Sequence, residues 1–262
     1  MTDGLDRHQA YALLKWQIEL GADEAIGEAP IDRFAASAEP APEPAPTPTP
    51  PPRPAQPESG TSPAEAAERA AASASDLAAL QAAIDAFPHC PLRETARSLV
   101  FADGRPEARV MIVGEAPGRD EDIEGRPFVG RAGRLLDLMF AEIGLARDAG
   151  AAHGALYITN VLPWRPPGNR KPAAEEIAMM RPFLARHIAL AAPEMLVVMG
   201  NSAAGALLGR EGITRLRGSW TEAEGRPAMP MLHPAALLRN PSAKRGAWAD
   251  LLAIAARLDA GG

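Results

Sequence analysis

From Asp76 onward the chain alternates short, continuously apolar runs with longer segments whose apolar residues recur every three or four positions. The runs are ARVMIVGEAPG, ALYITN, MLVVMG and AMPMLHP. The segments are DLAALQAAIDAF, RAGRLLDLMFAEIG, KPAAEEIAMMRPFLARHIALA, NSAAGALLG and SAKRGAWADLLAIAARL. A helical period of 3.6 explains the segments. A strand with one wet face alternates apolar and polar residues, so unbroken apolar runs point to strands covered on both faces. The pattern therefore predicts a three-layer α/β/α domain over residues 76–262, built on a four-stranded parallel central sheet. No internal repeat of fixed period interrupts it.

Upstream the pattern changes. Residues Glu39 to Pro63 read EPAPEPAPTPTPPPRPAQPESGTSP, dominated by proline and without apolar residues able to build a core. Such a stretch is a semi-rigid, disordered spacer. It defines a Pro/Ala-rich linker over 36–75 and sets off an N-terminal segment, 1–35. In that segment Tyr11, Leu13, Leu14, Trp16 and Ile18 suggest a helix between Leu5 and Ala25. The helix is expected either to dock on the main domain or, with the linker, to bind a protein partner.

Charge sharpens this division. Up to Ser75 there are 5 Lys and Arg against 12 Asp and Glu; from Asp76 onward there are 22 against 21. The overall net charge of -6 therefore belongs to the N-terminal part. The main domain is not repelled by a polyanion, although it lacks the strong basicity that usually marks one as its ligand. No basic n-region precedes an apolar run and no span is long enough to cross a bilayer, so the expectation is a cytoplasmic protein without membrane contact. One cysteine, Cys90, forms no internal disulfide and cannot alone hold a metal cluster.

Candidate chemistry follows from the strand ends. Ligands of open parallel sheets bind beyond the carboxyl ends of the strands. The four runs end in GEAPG, ITN, GNS and LHP, which should bring Glu115, Asn160 and His233 to one rim. The stretch VGEAPGRDEDIEGRPFVG is a glycine-rich turn after a strand, but it has neither a GK[ST] ending nor G-x-G-x-x-G, and its acids stand where phosphates would lie. Acidic side chains near a strand end suit stabilisation of a cationic transition state or orientation of an attacking water. Phe128 sits in a glycine-flanked loop, where a lone Phe is more often core than a platform for a ligand. Asn160 could simply cap or close a turn, yet its amide offers a donor and an acceptor side by side, which can read N3–H and O4 of a pyrimidine and so separate uracil from cytosine. His233, one of five histidines, could simply be a turn residue; beside a leaving base it could instead donate to developing negative charge.

The segments GEAPGRDEDIEGRPFVGRAGRLLD, YITNVLPWRPPGNRKP and HPAALLRNPSAKRGAWADL, in this order and spacing, resemble the family 4 uracil-DNA glycosylases of the wider uracil-DNA glycosylase superfamily. The resemblance covers roughly Asp76 to Leu258 and none of the first seventy-five residues. It implies a DNA-repair enzyme that flips uracil out of DNA and hydrolyses its N-glycosidic bond, leaving an abasic site for base-excision repair. Matched by motif, Glu115 and Glu121 are catalytic acids and His233 steadies the departing uracil anion. Gly114, Ala116, Phe128 and Asn160 would bind the base, with Phe128 stacking on it and Asn160 reading its edge. The HPAALLRNP loop would press into DNA, with Leu237 or Leu238 as a wedge and Arg239 near phosphate. Ala116 stands where other branches carry an acidic water-activating residue, so that task falls to Glu115 or Glu121.

One departure is clear. Family 4 enzymes generally hold a four-iron four-sulfur cluster on four cysteines; alignment on the flanking motifs places those positions at Phe87, Cys90, Trp164 and Met180. Bulky side chains there look like a cluster site refilled as core, so the expectation is a protein with no cofactor. The competing expectations are a non-catalytic DNA-binding or scaffold module of the same fold, and a glycosylase shifted to other deaminated bases.

Overall fold

The computed structural model describes residues 62–260 and, before them, Tyr11 alone. The expected N-terminal helix, the linker up to residue 61 and any partner site on them lie outside the described residues. Residues 62–260 belong to one compact unit. In chain order its elements are α1 (Pro63–Ser73), α2 (Leu77–Asp85), α3 (Leu92–Thr95), β1 (Asp103–Gly104), β2 (Val110–Gly114), α4 (Arg119–Glu124), α5 (Arg131–Ala141), β3 (Leu156–Asn160), α6 (Ala174–Ala191), β4 (Met195–Met199), α7 (Asn201–Leu208), α8 (Ile213–Leu216), β5 (Thr221–Ala223), β6 (Arg226–Met231), α9 (Pro234–Arg239) and α10 (Lys244–Ala260).

The sheet order is β1-β3-β2-β4-β6-β5. The four inner strands are parallel and match the four apolar runs, while β1 and β5 pair antiparallel at the two edges. The expected four-stranded parallel sheet is thus a six-stranded mixed one. The edge strands have 2 and 3 residues, too few to show any period. Alternate residues of the inner strands feed opposite faces. Met111, Val113, Tyr157, Leu196 and Val198 join a core with α1, α2, α6 and α7. Val110, Ile112, Leu156, Ile158 and Val197 join a second core with α5 and α10. Both layers of the expected sandwich are present.

The linker ends earlier than residue 75. Ser62 caps α1: its hydroxyl accepts from the Glu65 amide at 3.2 Å, and its own amide donates to the Glu65 carboxylate at 2.8 Å. This reciprocal capping box satisfies two amides that a helix start otherwise leaves open. Ala67 and Ala71 are buried, and their small side chains let α1 lie close against α6. Arg186 of α6 then donates to the Ala74 carbonyl through two nitrogens, at 3.0 and 2.7 Å. An alanine-rich helix beside a proline-rich spacer has little apolar contrast, and this hid α1 in the sequence. Among the described residues no helix is long and apolar enough to cross a membrane.

Candidate active site

Strand register brings the expected residues together. Gly114, the last residue of β2, pairs with Asn160, the last residue of β3. Met199 pairs with Met231 at the ends of β4 and β6, and the Gly200 amide donates to the Met231 carbonyl at 3.0 Å. Glu115, Gly200 and His233 therefore leave the sheet at its carboxyl edge, where an α/β sheet opens its crevice. A groove of about 440 Å³ lies there, with Glu115, Ala116, Lys171, Ser202, His233 and Arg239 in its wall.

The two acids of the first motif have different surroundings. Glu115 Oε2 accepts from the Ser202 hydroxyl at 2.5 Å, a charge-assisted bond from a buried serine in the first turn of α7. That serine was not singled out from sequence, although the GNS turn carrying it was read as part of the rim. Glu121 is turned to the backbone instead. Its Oε2 accepts from the Gly118 amide at 3.0 Å, and its Oε1 from the Val129 and Gly130 amides at 3.0 and 2.9 Å. Glu121 caps α4 and braces the loop that carries Phe128. Asp122, third in the acidic run, is buried and accepts from the amides of Arg97 and Ser98.

Phe128 occupies a left-handed conformation, φ 55°. For a bulky aromatic residue this costs about 1–2 kcal/mol, a strain found mostly at functional sites. The residue is 5% exposed, and its ring stacks near the His233 ring, with centroids 5.2 Å apart and planes at 25°. A Cβ built on Gly114 would collide with the Asn160 amide oxygen and stand 2.6 Å from two carbons of the Phe128 ring. A side chain at 114 would thus fill the space where Phe128 and Asn160 meet, which fits glycine's place in the motif.

His233 is the N-cap of α9. Its Nδ1 accepts from the Ala235 amide at 3.2 Å, which leaves the neutral ring's proton on Nε2. Burial pulls its pKa down to about 4; Arg239 pushes the same way and Glu121 opposes both. At neutral pH it is an uncharged donor.

The HPAALLRNP segment, expected as a loop, begins with the helix α9. Leu237 is fully buried in the core and cannot serve as the wedge; Leu238, about 100° further round the helix, is 38% exposed, and Arg239 is exposed beside it. The residues at the cluster positions do not fit a four-thiolate site. Phe87, Cys90, Trp164 and Met180 are all buried in one core, and the Phe87 ring meets Phe183 edge-on at 5.1 Å. Only one of the four is a thiol, and burial pushes its pKa up, away from the thiolate a cluster needs. Among the described residues no group of three or more His, Cys, Asp or Glu stands together to hold a metal ion.

Fold and site define an α/β protein with a strained aromatic, an amide, a carboxylate and a neutral imidazole on one rim. The model of the uracil DNA glycosylase superfamily matches residues 101–252, and the chain belongs to that superfamily. Among its relatives, the type-4 uracil-DNA glycosylase of Sulfurisphaera tokodaii is 40% identical over 166 residues, 60% of this chain and 73% of the relative. That of Archaeoglobus fulgidus is 38% identical over 174 residues, 63% and 84% of the two chains. That of Pyrobaculum aerophilum is 38% identical over 190 residues, 68% and 92%.

Proposed function

We propose that this protein is a uracil-DNA glycosylase of base-excision repair, acting on uracil-containing DNA in the cytoplasm. The observation that carries the reading is the convergence of Glu115, Phe128, Asn160 and a neutral His233 on one rim. Uracil swung out of the helix stacks on Phe128, while the Asn160 amide pairs with N3–H and O4, an arrangement cytosine cannot match. As the N-glycosidic bond breaks, negative charge gathers on the base and the His233 Nε2–H donates to O2. The sugar becomes oxocarbenium-like, and the Glu115 carboxylate both stabilises that cation and orients the attacking water. Glu115 suits this better than Glu121, whose two oxygens already accept three amides. Gly114 and Ala116 leave room for the base. Leu238 enters the space the base vacates, and Arg239 meets phosphate.

Single-stranded uracil, U:G and hypoxanthine oligonucleotides, followed by alkaline cleavage, test the reading. Product is expected from the uracil substrates alone. Product from hypoxanthine would mark shifted specificity, and none from any substrate would mark a non-catalytic DNA-binding module.

The protein is further proposed to work without an iron-sulfur cluster, its place taken by the packing of Phe87, Trp164 and Met180 around Cys90. Freshly purified material is expected to be colourless and iron-free by absorbance and iron assay; stoichiometric iron would overturn this.

A further inference from the structure

Arg147 lies outside every motif that carries the family resemblance, in the connection between α5 and β3. It nevertheless grips the Phe128 loop. Nη1 donates to the Pro127 carbonyl and Nη2 to the Phe128 carbonyl, each at 3.0 Å. The guanidinium is itself fixed by two carboxylates: Asp103 Oδ2 accepts from Nη1 at 2.7 Å, and Asp137 Oδ1 accepts from Nε and Nη2 at 2.9 and 2.7 Å. All three nitrogens are in use, and the side chain is 14% exposed. This planar fork is a geometry that lysine, with one ammonium on a flexible stem, cannot reproduce.

The surroundings of Phe128 give that grip a purpose. Its left-handed backbone needs holding, and it is held from two sides. Arg147 takes the carbonyls of residues 127 and 128, while Glu121 takes the amides of residues 129 and 130. Arg147 does not line the rim groove. Its influence on the rim passes through the peptide that aims the Phe128 ring.

We infer that Arg147 is a positioning residue for base excision: it holds Phe128 in the left-handed conformation that presents its ring to the flipped base. The inference rests on the reading of Phe128 as the stacking platform, proposed above.

The test is a double-mutant cycle on the full chain with Arg147→Met, Phe128→Ala and both together. Single-turnover uracil excision and amide exchange of residues 128–130 are followed side by side. Arg147→Met is expected to slow excision about tenfold or more, with Arg147→Lys recovering only part. In the Phe128→Ala background the same change should add less than about twofold, because a residue acting through Phe128 has nothing left to position. The Val129 and Gly130 amides should exchange faster while β2 stays protected. Losses that multiply in the double variant, or unchanged exchange at 129 and 130, would overturn the inference. Should Arg147→Met not fold, Arg147→Lys carries the same cycle. If the wild-type protein releases no uracil, the functional reading falls and exchange alone judges the clamp: faster exchange at 129 and 130 supports it, unchanged exchange refutes it.

Discussion

His233→Ala is expected to slow single-turnover uracil release about a hundredfold, close to 2.7 kcal/mol of barrier, which is the scale for losing one preorganised donor to a developing anion. The geometry makes the expectation more specific than loss of an imidazole. Because Nδ1 is occupied by the Ala235 amide, only Nε2 can donate, and burial keeps the ring neutral with a pKa of about 4. Protonation would set two donors against each other at Nδ1 and charge a half-buried ring that its surroundings desolvate. Excision is therefore expected to show no His233 inflection near pH 6.5, and to fail only as pH drops toward 4. The same shift bears on stability: the unfolded chain takes up this proton below about pH 6.5 and the folded one does not until about 4. The stabilisation tied to the neutral ring is complete above 6.5 and lost as pH falls toward 4. Asn160→Ala is expected to lose at least about tenfold without changing that pH profile. Wild-type rates in folded samples of both variants, or a wild-type inflection near 6.5 that His233→Ala removes, would sink the site assignment.

How much of this was readable beforehand depended on whether a residue's task leaves a local pattern. The strands VMIVG, LYITN and MLVVM are buried on both faces, and that burial writes itself as unbroken apolar runs. Once the runs were fixed, their carboxyl ends fixed the rim, so Glu115, Asn160 and His233 followed from topology. The edge strands β1 and β5 left no pattern because two or three residues carry no period. Leu237 and Leu238 could not be separated in sequence, because one step along a six-residue helix decides which side chain faces the core. Glu121 was legible as an acid near the site but not as a brace, since its partners are backbone amides that have no sequence signature. Ser202 was within reach, being in a turn already assigned to the rim; Arg147 was not, since neither neighbouring residues nor spacing announces a side chain that binds carbonyls 19 and 20 residues earlier.

Gly133→Ala should reverse the sign that helix propensity alone would give. Gly133 lies inside α5, where replacing glycine by alanine ordinarily stabilises a helix by about 1 kcal/mol. Here the added Cβ would drive into the Phe128 carbonyl group, backbone rather than a flexible side-chain tip, and would stand 2.8 Å from the Phe128 Cα. The carbonyl cannot retreat without releasing Arg147, and the loop cannot rotate without releasing Glu121 from the Val129 and Gly130 amides. Either α5 lifts from the core that Leu136 and Phe140 share with the sheet, or Phe128 leaves its left-handed conformation. The first route costs packing, on the order of 3 kcal/mol for an overfilled site; the second removes the ring from beside His233. The first route lowers the denaturation midpoint, and the second slows excision at least about tenfold. A Gly133→Ala variant that unfolded at higher denaturant and released uracil at the wild-type rate would show that the α5–Phe128 contact yields freely, and that the strained loop is not held from below.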